Sequence, residues 1–217
     1  MADIPSSPSG LKLDHVEINL ETRCLVRLDR RIAPGDVLTV MGDSGSGKSS
    51  LLDFIAGFLD PAFRASGRIW LDGKEITSLP PQDRKVGLMF QAPLLFPHMS
   101  VGENLLFGLD RIRDHGRDQR RSVAEDALSD VGLAGFFDRD PATLSGGQQT
   151  RVALMRLLLA EPRALLLDEP FSSLDQTRRA DLRNLVFSKA CEKGLPVLLV
   201  THDPDDAEAA GGDVVRL

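Results

Sequence analysis

Residues 42–49 read Gly-Asp-Ser-Gly-Ser-Gly-Lys-Ser and fit the phosphate-binding spacing G-x-x-x-x-G-K-[ST]. The stretch follows Val37-Leu-Thr-Val-Met41, a buried-strand pattern. It runs into a helical pattern over Ser49–Gly57, where Leu51, Leu52 and Ile55 share one face. Strand, glycine-rich loop and helix in that order decide the fold: an α/β core built on a P-loop. Glycine at 42, 45 and 47 removes side chains that would stop successive N–H groups from turning inward around a phosphate chain. Lys48 supplies a point charge for the β- and γ-phosphates, and the Ser49 hydroxyl a ligand for Mg²⁺. The spacing implies a bound nucleoside triphosphate, cradled by Gly42, Asp43, Ser44, Gly45, Ser46, Gly47, Lys48, Ser49 and Ser50.

Further chemistry lies downstream. Ala164-Leu-Leu-Leu-Asp-Glu169 reads as a buried parallel strand ending in two carboxylates. Ligands of open α/β sheets bind at the carboxyl ends of the strands. Asp168 is therefore placed to orient Mg²⁺ through its water shell, and Glu169 to polarise the water that attacks a γ-phosphate. Gln91 follows the strand pattern Val86–Phe90 and precedes Ala92-Pro93. Its neutral amide can ligate Mg²⁺ or position water; the same residue also serves as a plain strand-end cap. His202 follows the strand pattern Val197–Val200 and can donate a hydrogen bond to a γ-phosphate, although a strand-terminal histidine is often structural. Leu144-Ser-Gly-Gly-Gln148 opens another helical pattern. Ser145 is a good N-cap, and Gly146 and Gly147 expose N–H groups beside the positive end of the helix dipole, which makes a second anion site.

The rest of the chain sets the frame. Its 26 Lys+Arg against 32 Asp+Glu give a net charge of -6, which argues against a nucleic-acid partner. The stretch Arg111–Arg121 is interleaved with Asp110, Asp114 and Asp118 and reads as a solvated, ion-paired surface. Cys24 and Cys191 read as reduced core thiols rather than a disulfide. Residues 1–10 carry no signal pattern and read as a flexible leader. The apolar runs are strand-length, far below the roughly 20 residues that span a bilayer, so a membrane role has to come through a partner. Strand patterns fall at 11–20, 24–32, 67–73, 86–90, 164–167 and 197–200, and helical ones at 101–109, 117–131, 146–159 and 176–192. The expected architecture is one α/β domain over 11–217, with a mixed sheet: a parallel core plus antiparallel N-terminal strands. Its core is 11–91 and 162–217, with a helical subdomain inserted at 92–161.

Gly42–Ser49, Gln91, Leu144–Gln148, Leu165–Glu169, Ser172-Ser-Leu-Asp175 and His202 together resemble, in order, the motifs of ATP-binding-cassette (ABC) ATPases. The likeness covers nearly the whole chain, and Leu-Ser-Gly-Gly-Gln is its specific part, since other P-loop proteins lack it. The resemblance implies ATP and Mg²⁺ as cofactors and a head-to-tail homodimer enclosing two ATP. The phosphate loop of one copy would face Leu144, Ser145, Gly146, Gly147 and Gln148 of the other. It further implies Glu169 as catalytic base, His202 as the γ-phosphate switch, Lys48 on the transferred phosphate, and Ser49, Gln91 and Asp168 around the metal. Asp175 would carry cross-talk between the two sites. Gln91–Asn104 resembles the segment of bacterial uptake systems that receives a helix of the membrane permease, in a groove near Leu94–Met99. Ala56-Gly-Phe-Leu59 and Asp140–Gln148 are similar to thiamine- and iron-importer ATPases and to the YnjD-type group. Such a subunit would sit on the cytoplasmic face of the membrane with a permease and a substrate-binding protein. The alternative is a soluble ABC ATPase of the repair, cluster-assembly or translation type.

The chain departs from that family in three places. Members carry an aromatic residue before the phosphate loop that stacks on adenine. This chain has no Tyr, and no Phe or Trp before Phe54; the equivalent position lies near Leu20. Asp43 stands where proline is commoner, so its carboxylate is expected to point away from the phosphates. The sequence ends at Leu217, so no appended regulatory domain is expected.

Overall fold

The computed structural model describes residues 9–109, 116–172 and 176–217, apart from the side chains of 176–178. Asp175, together with Ser173 and Leu174, lies outside the described residues, as do residues 1–8 of the expected leader and residues 110–115 of the arginine-rich stretch. The leader expectation is corrected at its end. Gly10 is buried, and its N–H donates to Asp72 Oδ1 at 2.9 Å while its carbonyl accepts from the Asp72 N–H.

The elements in order are β1 (Leu11–Leu20), β2 (Arg23–Ile32), β3 (Val37–Met41), α1 (Lys48–Ala56), β4 (Phe63–Leu71), β5 (Lys74–Glu75) and β6 (Val86–Met89). There follow α2 (Val101–Gly108), α3 (Arg117–Asp130), α4 (Gly146–Leu159), β7 (Ala164–Asp168), α5 (Gln176–Glu192), β8 (Val197–Thr201), α6 (Pro204–Ala210) and β9 (Asp213–Arg216). Parallel and antiparallel strands are both present, separated into two sheets. One is four-stranded, in the order β2-β1-β4-β5, with antiparallel pairing throughout. The other has the order β6-β7-β8-β3-β9, and β3 lies parallel to both β8 and β9. Side chains from both sheets and from α1 share one core.

Two compact units emerge from chain packing. The first takes the chain up to Leu88, Arg163–Glu169 and Phe187–Leu217; the second takes Met89–Pro162 and Pro170–Val186. The second unit thus begins before the expected Ala92 and adds a segment assigned from sequence to the core. The α5 helix runs unbroken through Val186, so nothing in its composition marks that division.

In β1 the inward residues are Leu11, Leu13, Val16 and Ile18, a spacing with one residue too many between Leu13 and Val16. A β-bulge absorbs it: the register of β1 against β2 shifts there, and His15 adopts φ 51. Gly67 on β4 sits against this bulge at φ +93, and a Cβ there would press on the His15 carbonyl. That is why β4 continues back to Phe63, whereas the sequence reading began its strand at Gly67. The cysteines are corrected too. Cys24 and Cys191 are free thiols, both exposed, the first because β2 is an edge strand and its outward residues face solvent.

The second unit packs α2 closely against its neighbours through two glycines. A Cβ on Gly102 would enter the Phe137 ring, and one on Gly108 the Arg156 main chain. Reciprocal capping boxes start α2 at Ser100–Glu103 and α4 at Ser145–Gln148. On α3, Arg121 pairs with Glu125 at 2.8 Å and Asp138 at 2.9 Å. Arg121 therefore belongs to an ion-paired surface as expected, with partners from later in the chain. No helix among the described residues is long and apolar enough to cross a membrane.

Candidate active site

The parallel sheet sets the site by register. Met41 lies beside Thr201, and Asp168 beside Val200, so β3, β8 and β7 end together at one edge. The residues at and just past these strand ends are therefore collected there: the loop 42–47, the pair Asp168-Glu169, and His202. This brings Lys48, Ser49, Asp168, Glu169 and His202 into one neighbourhood of the first unit.

Gly45 and Gly47 take φ +80 and +99, the left-handed region that the inward-turning loop requires. At Gly47 the space is also closed, since a Cβ would stand 2.9 Å from Leu25 Cβ. Lys48 is buried, and its Nζ donates to the carbonyls of Gly42 and Asp43, each at 2.8 Å. The ammonium thus lies folded over the loop. Asp43, Ser44 and Gly45 are exposed, and Asp43 contributes its carbonyl rather than its carboxylate to that contact. Ser46 is half-buried, and its hydroxyl lies close under Gly42.

The Ser49 hydroxyl donates to Asp168 Oδ1 at 3.3 Å. A hydroxyl and a carboxylate oxygen so close are both hard oxygen donors, the set that suits Mg²⁺. Burial holds the Asp168 carboxyl above the usual carboxylate range; the Ser49 hydrogen bond and Lys48 oppose the shift, and the Glu169 charge adds to it. Asp53, one helical turn after Ser49, is raised in the same direction by its own burial and by the Asp168 charge. It is a site neighbour that the sequence reading missed; its only signal was the i, i+4 spacing from Ser49.

The sign of the Asp168 effect makes a prediction. A carboxyl raised on folding contributes stability that is complete below its unfolded pKa, about 3.9, and lost as pH rises through the folded value. At neutral pH the ionised group is a cost. Asp168→Asn is therefore expected to melt above the parent at pH 7 in chelator without nucleotide, with the gap closing as pH falls towards 4. Equal melting temperatures at pH 7 would show that the carboxylate bears no such cost.

Glu169 holds φ 45, a left-handed conformation unusual for a side chain of its size, while its N–H donates to the Val200 carbonyl at 2.9 Å. Its Oε1 lies 3.0 Å from His202 Nδ1. The chain on either side of His202 is tied by a small network. Thr201 donates to Asp206 Oδ2 at 2.8 Å, in the buried interior, and the Asp203 N–H donates to Thr201 Oγ1 at 3.0 Å. Asp203 also caps α6, which Pro204 begins and Gly211 ends. Sequence reasoning missed that helix and this support. The signal was the Asp-Pro start followed by Gly-Gly.

Gln91 is exposed and belongs to the second unit, as do Leu144–Gln148. There Ser145 Oγ accepts from the Gln148 N–H at 3.4 Å, and Gln148 Oε1 accepts from the Ser145 N–H at 2.9 Å. Leu144 is buried, Gly146 and Gly147 sit in the first turn, and α4 continues for 14 residues. In the same unit Leu94 and Phe107 are exposed by 57% and 59%, and Phe96 meets Phe107 edge to face at 4.6 Å. Leu20 is exposed at the end of β1, with Arg23 and Phe63 as its register neighbours on the flanking strands.

A glycine-lined phosphate loop, its lysine, a Ser–Asp oxygen pair and a strained glutamate at one sheet edge define a P-loop nucleoside triphosphatase. Residues 25–172 match the family described as "ABC transporter", and the chain belongs to that family as an ATP-binding ATPase. It is 47% identical over 189 residues to the Uncharacterized ABC transporter ATP-binding protein YnjD of Escherichia coli K12, covering 87% of this chain and 86% of that one. It is 46% identical over 182 residues to the Thiamine import ATP-binding protein ThiQ of Cereibacter sphaeroides, covering 84% and 77%. Among solved structures it resembles cbiO1 of Clostridium perfringens, part of the ABC transporter complex cbiONQ. The TM-score is 0.82 and the identity 29%, over 96% of this chain and 84% of that one.

Proposed function

We propose that this chain is the ATP-hydrolysing subunit of a bacterial importer, working as a homodimer around two ATP to drive a separate membrane permease. The observation that carries this reading is the common edge at which Lys48, Ser49, Asp168, Glu169 and His202 meet. The relatives named for thiamine import and the neighbour that is part of a transporter complex support its import and permease components.

In this reading the loop N–H groups of 42–50 and Lys48 hold the β- and γ-phosphates. Ser49 and Asp168 would hold Mg²⁺, which would neutralise charge on the phosphate oxygens. Glu169 takes the proton of a water as its oxygen bonds the γ-phosphorus. The β–γ bridging P–O bond then breaks, leaving ADP and phosphate. His202, beside Glu169, donates to the γ-phosphate and reports its loss. Leu144–Gln148 of the second copy close on the same phosphate from the N-terminus of α4, and Asp175 links the two sites. The exposed Leu94 and Phe107 with Phe96 form the surface for the permease, which places the subunit peripherally on the cytoplasmic membrane face. A substrate-binding protein completes the system.

Sedimentation tests the dimer. The Glu169→Gln chain is expected to shift from monomer to dimer with Mg-ATP, and Ser145→Arg in that background to stay monomeric. Dimers that ignore ATP, or that survive Ser145→Arg, would remove the shared-nucleotide arrangement.

Leu20 supplies the adenine-side prediction. With an aliphatic group where the family stacks an aromatic, base binding lacks roughly 1–3 kcal/mol, and ATP is expected to be only weakly preferred over GTP. Leu20→Tyr should tighten ATP by about tenfold or more, an amount each 1.4 kcal/mol provides. Titration calorimetry with both nucleotides checks it, and unchanged affinity would place the base elsewhere.

A further inference from the structure

Within the second unit, one buried amide and one cation gather the loop Pro93–Ser100. Asn104 on α2 is fully buried. Its Oδ1 accepts from the Phe96 N–H at 2.8 Å, and its Nδ2 donates to the Phe96 carbonyl at 3.1 Å, so it reads both main-chain groups of one residue as a neighbouring strand would. The same Nδ2 reaches the carbonyls of Met99 and Ser100 at 3.3 and 3.0 Å. Arg156, near the end of α4, donates from Nη1 to Asn104 Oδ1 at 3.3 Å and from Nη2 to the Pro93 carbonyl at 3.4 Å. Its guanidinium lies 5.1 Å from the Phe96 ring centre, and Gly108 brings α2 onto its main chain. Burial makes this cation less favourable to charge, yet each of these partners is neutral. Holding a half-buried guanidinium with a loop carbonyl, an amide and a ring ties its energy to the loop's shape.

The other end of α4 is the Ser145–Gln148 capping box. We propose that Asn104 and Arg156 are positioning residues that clamp the Pro93–Ser100 loop to α4, so that the loop carrying Leu94 and Phe96 moves with the helix whose N-terminus meets nucleotide. A 14-residue helix is about 21 Å long at 1.5 Å per residue. From Ser145 to Arg156 the axis runs roughly 16–17 Å, and the clamp carries an event at Ser145 about that far towards the permease-facing surface. The inference rests on the proposed engagement of Leu144–Gln148 with ATP, and it needs no permease to be tested.

Amide hydrogen exchange is measured on the full chain in the Glu169→Gln background, with and without Mg-ATP. Arg156→Met and Arg156→Lys are compared with the parent; lysine keeps the charge but lacks the fork that spans two acceptors. Melting curves and ATP titration first establish that each variant is folded and binds ATP as the parent does. In the parent, ATP should slow exchange both at 145–149 and at 94–100, by about fivefold or more, the low end of typical coupling between sites. Both variants should keep the change at 145–149 and lose that at 94–100. Protection at 94–100 that persists in both variants, or that is absent in the parent, overturns the clamp. A response at 94–100 without one at 145–149 also overturns it, and shows that the signature engagement is what failed. Should Arg156→Met prove unfolded, Arg156→Lys alone decides between the same outcomes.

Discussion

Glu169→Gln is expected to lower the ATP turnover number by about 10²–10⁴-fold, the usual contribution of a positioned general base, while leaving ATP affinity within about twofold of the parent. The amide keeps the size of the carboxylate and loses its ability to take a proton. Its neighbours argue for a group used in the reacting state. The backbone at 169 adopts φ 45, its N–H donates to the Val200 carbonyl, and the carboxylate stands 3.0 Å from His202. Steady-state release of phosphate beside equilibrium binding separates the two effects. A variant with full turnover would remove Glu169 from the base role, and one that also failed to bind ATP would make it part of the cradle instead.

Lys48→Met is expected to act on the other half of that comparison. Nζ donates to the Gly42 and Asp43 carbonyls, each at 2.8 Å, beside the loop proposed to hold the phosphates. Hydrogen bonds to charged groups contribute about 1.5–3 kcal/mol each. Losing two such bonds to phosphate oxygens weakens ATP binding by roughly 10²–10⁴-fold, at about 1.4 kcal/mol per tenfold. Methionine preserves the buried stem, so the fold should survive, and AMP, which lacks the β- and γ-phosphates, should bind the variant and the parent alike. An ATP affinity within about threefold of the parent would show that the loop N–H groups hold the phosphates without the lysine.

Much of this site was legible because its chemistry is carried by residues at fixed spacing on strands with continuous apolar patterns. β3, β7 and β8 are almost wholly buried, and such strands announce both their existence and the edge at which they end. The polar residues at those ends, Asp168, Glu169 and His202, were for that reason visible as a group. What stayed hidden depends on contacts between distant residues. The bulge at His15 and its partner Gly67 made β4 look as if it began four residues later than it does, because a glycine that accommodates a neighbour's backbone resembles a glycine that ends a strand. Asp206 stands in an acidic stretch that gives no sign of its burial, yet it is only 2% exposed and accepts from Thr201. The thiols erred in the opposite direction: cysteine is commonly buried, and an edge strand overrode that preference at Cys24. Asn104 and Arg156 lie 52 positions apart, and neither residue type alone signals a buried clamp.

Whether this ATPase drives a membrane protein is decided by purifying a tagged Glu169→Gln chain, held with Mg-ATP, from gently solubilised native membranes. A polytopic membrane protein is expected with it in stoichiometric amount, and lost when Leu94→Glu is added. A chain recovered only from the soluble fraction, dimeric and without a membrane partner, would refute the importer reading and favour a soluble ABC ATPase.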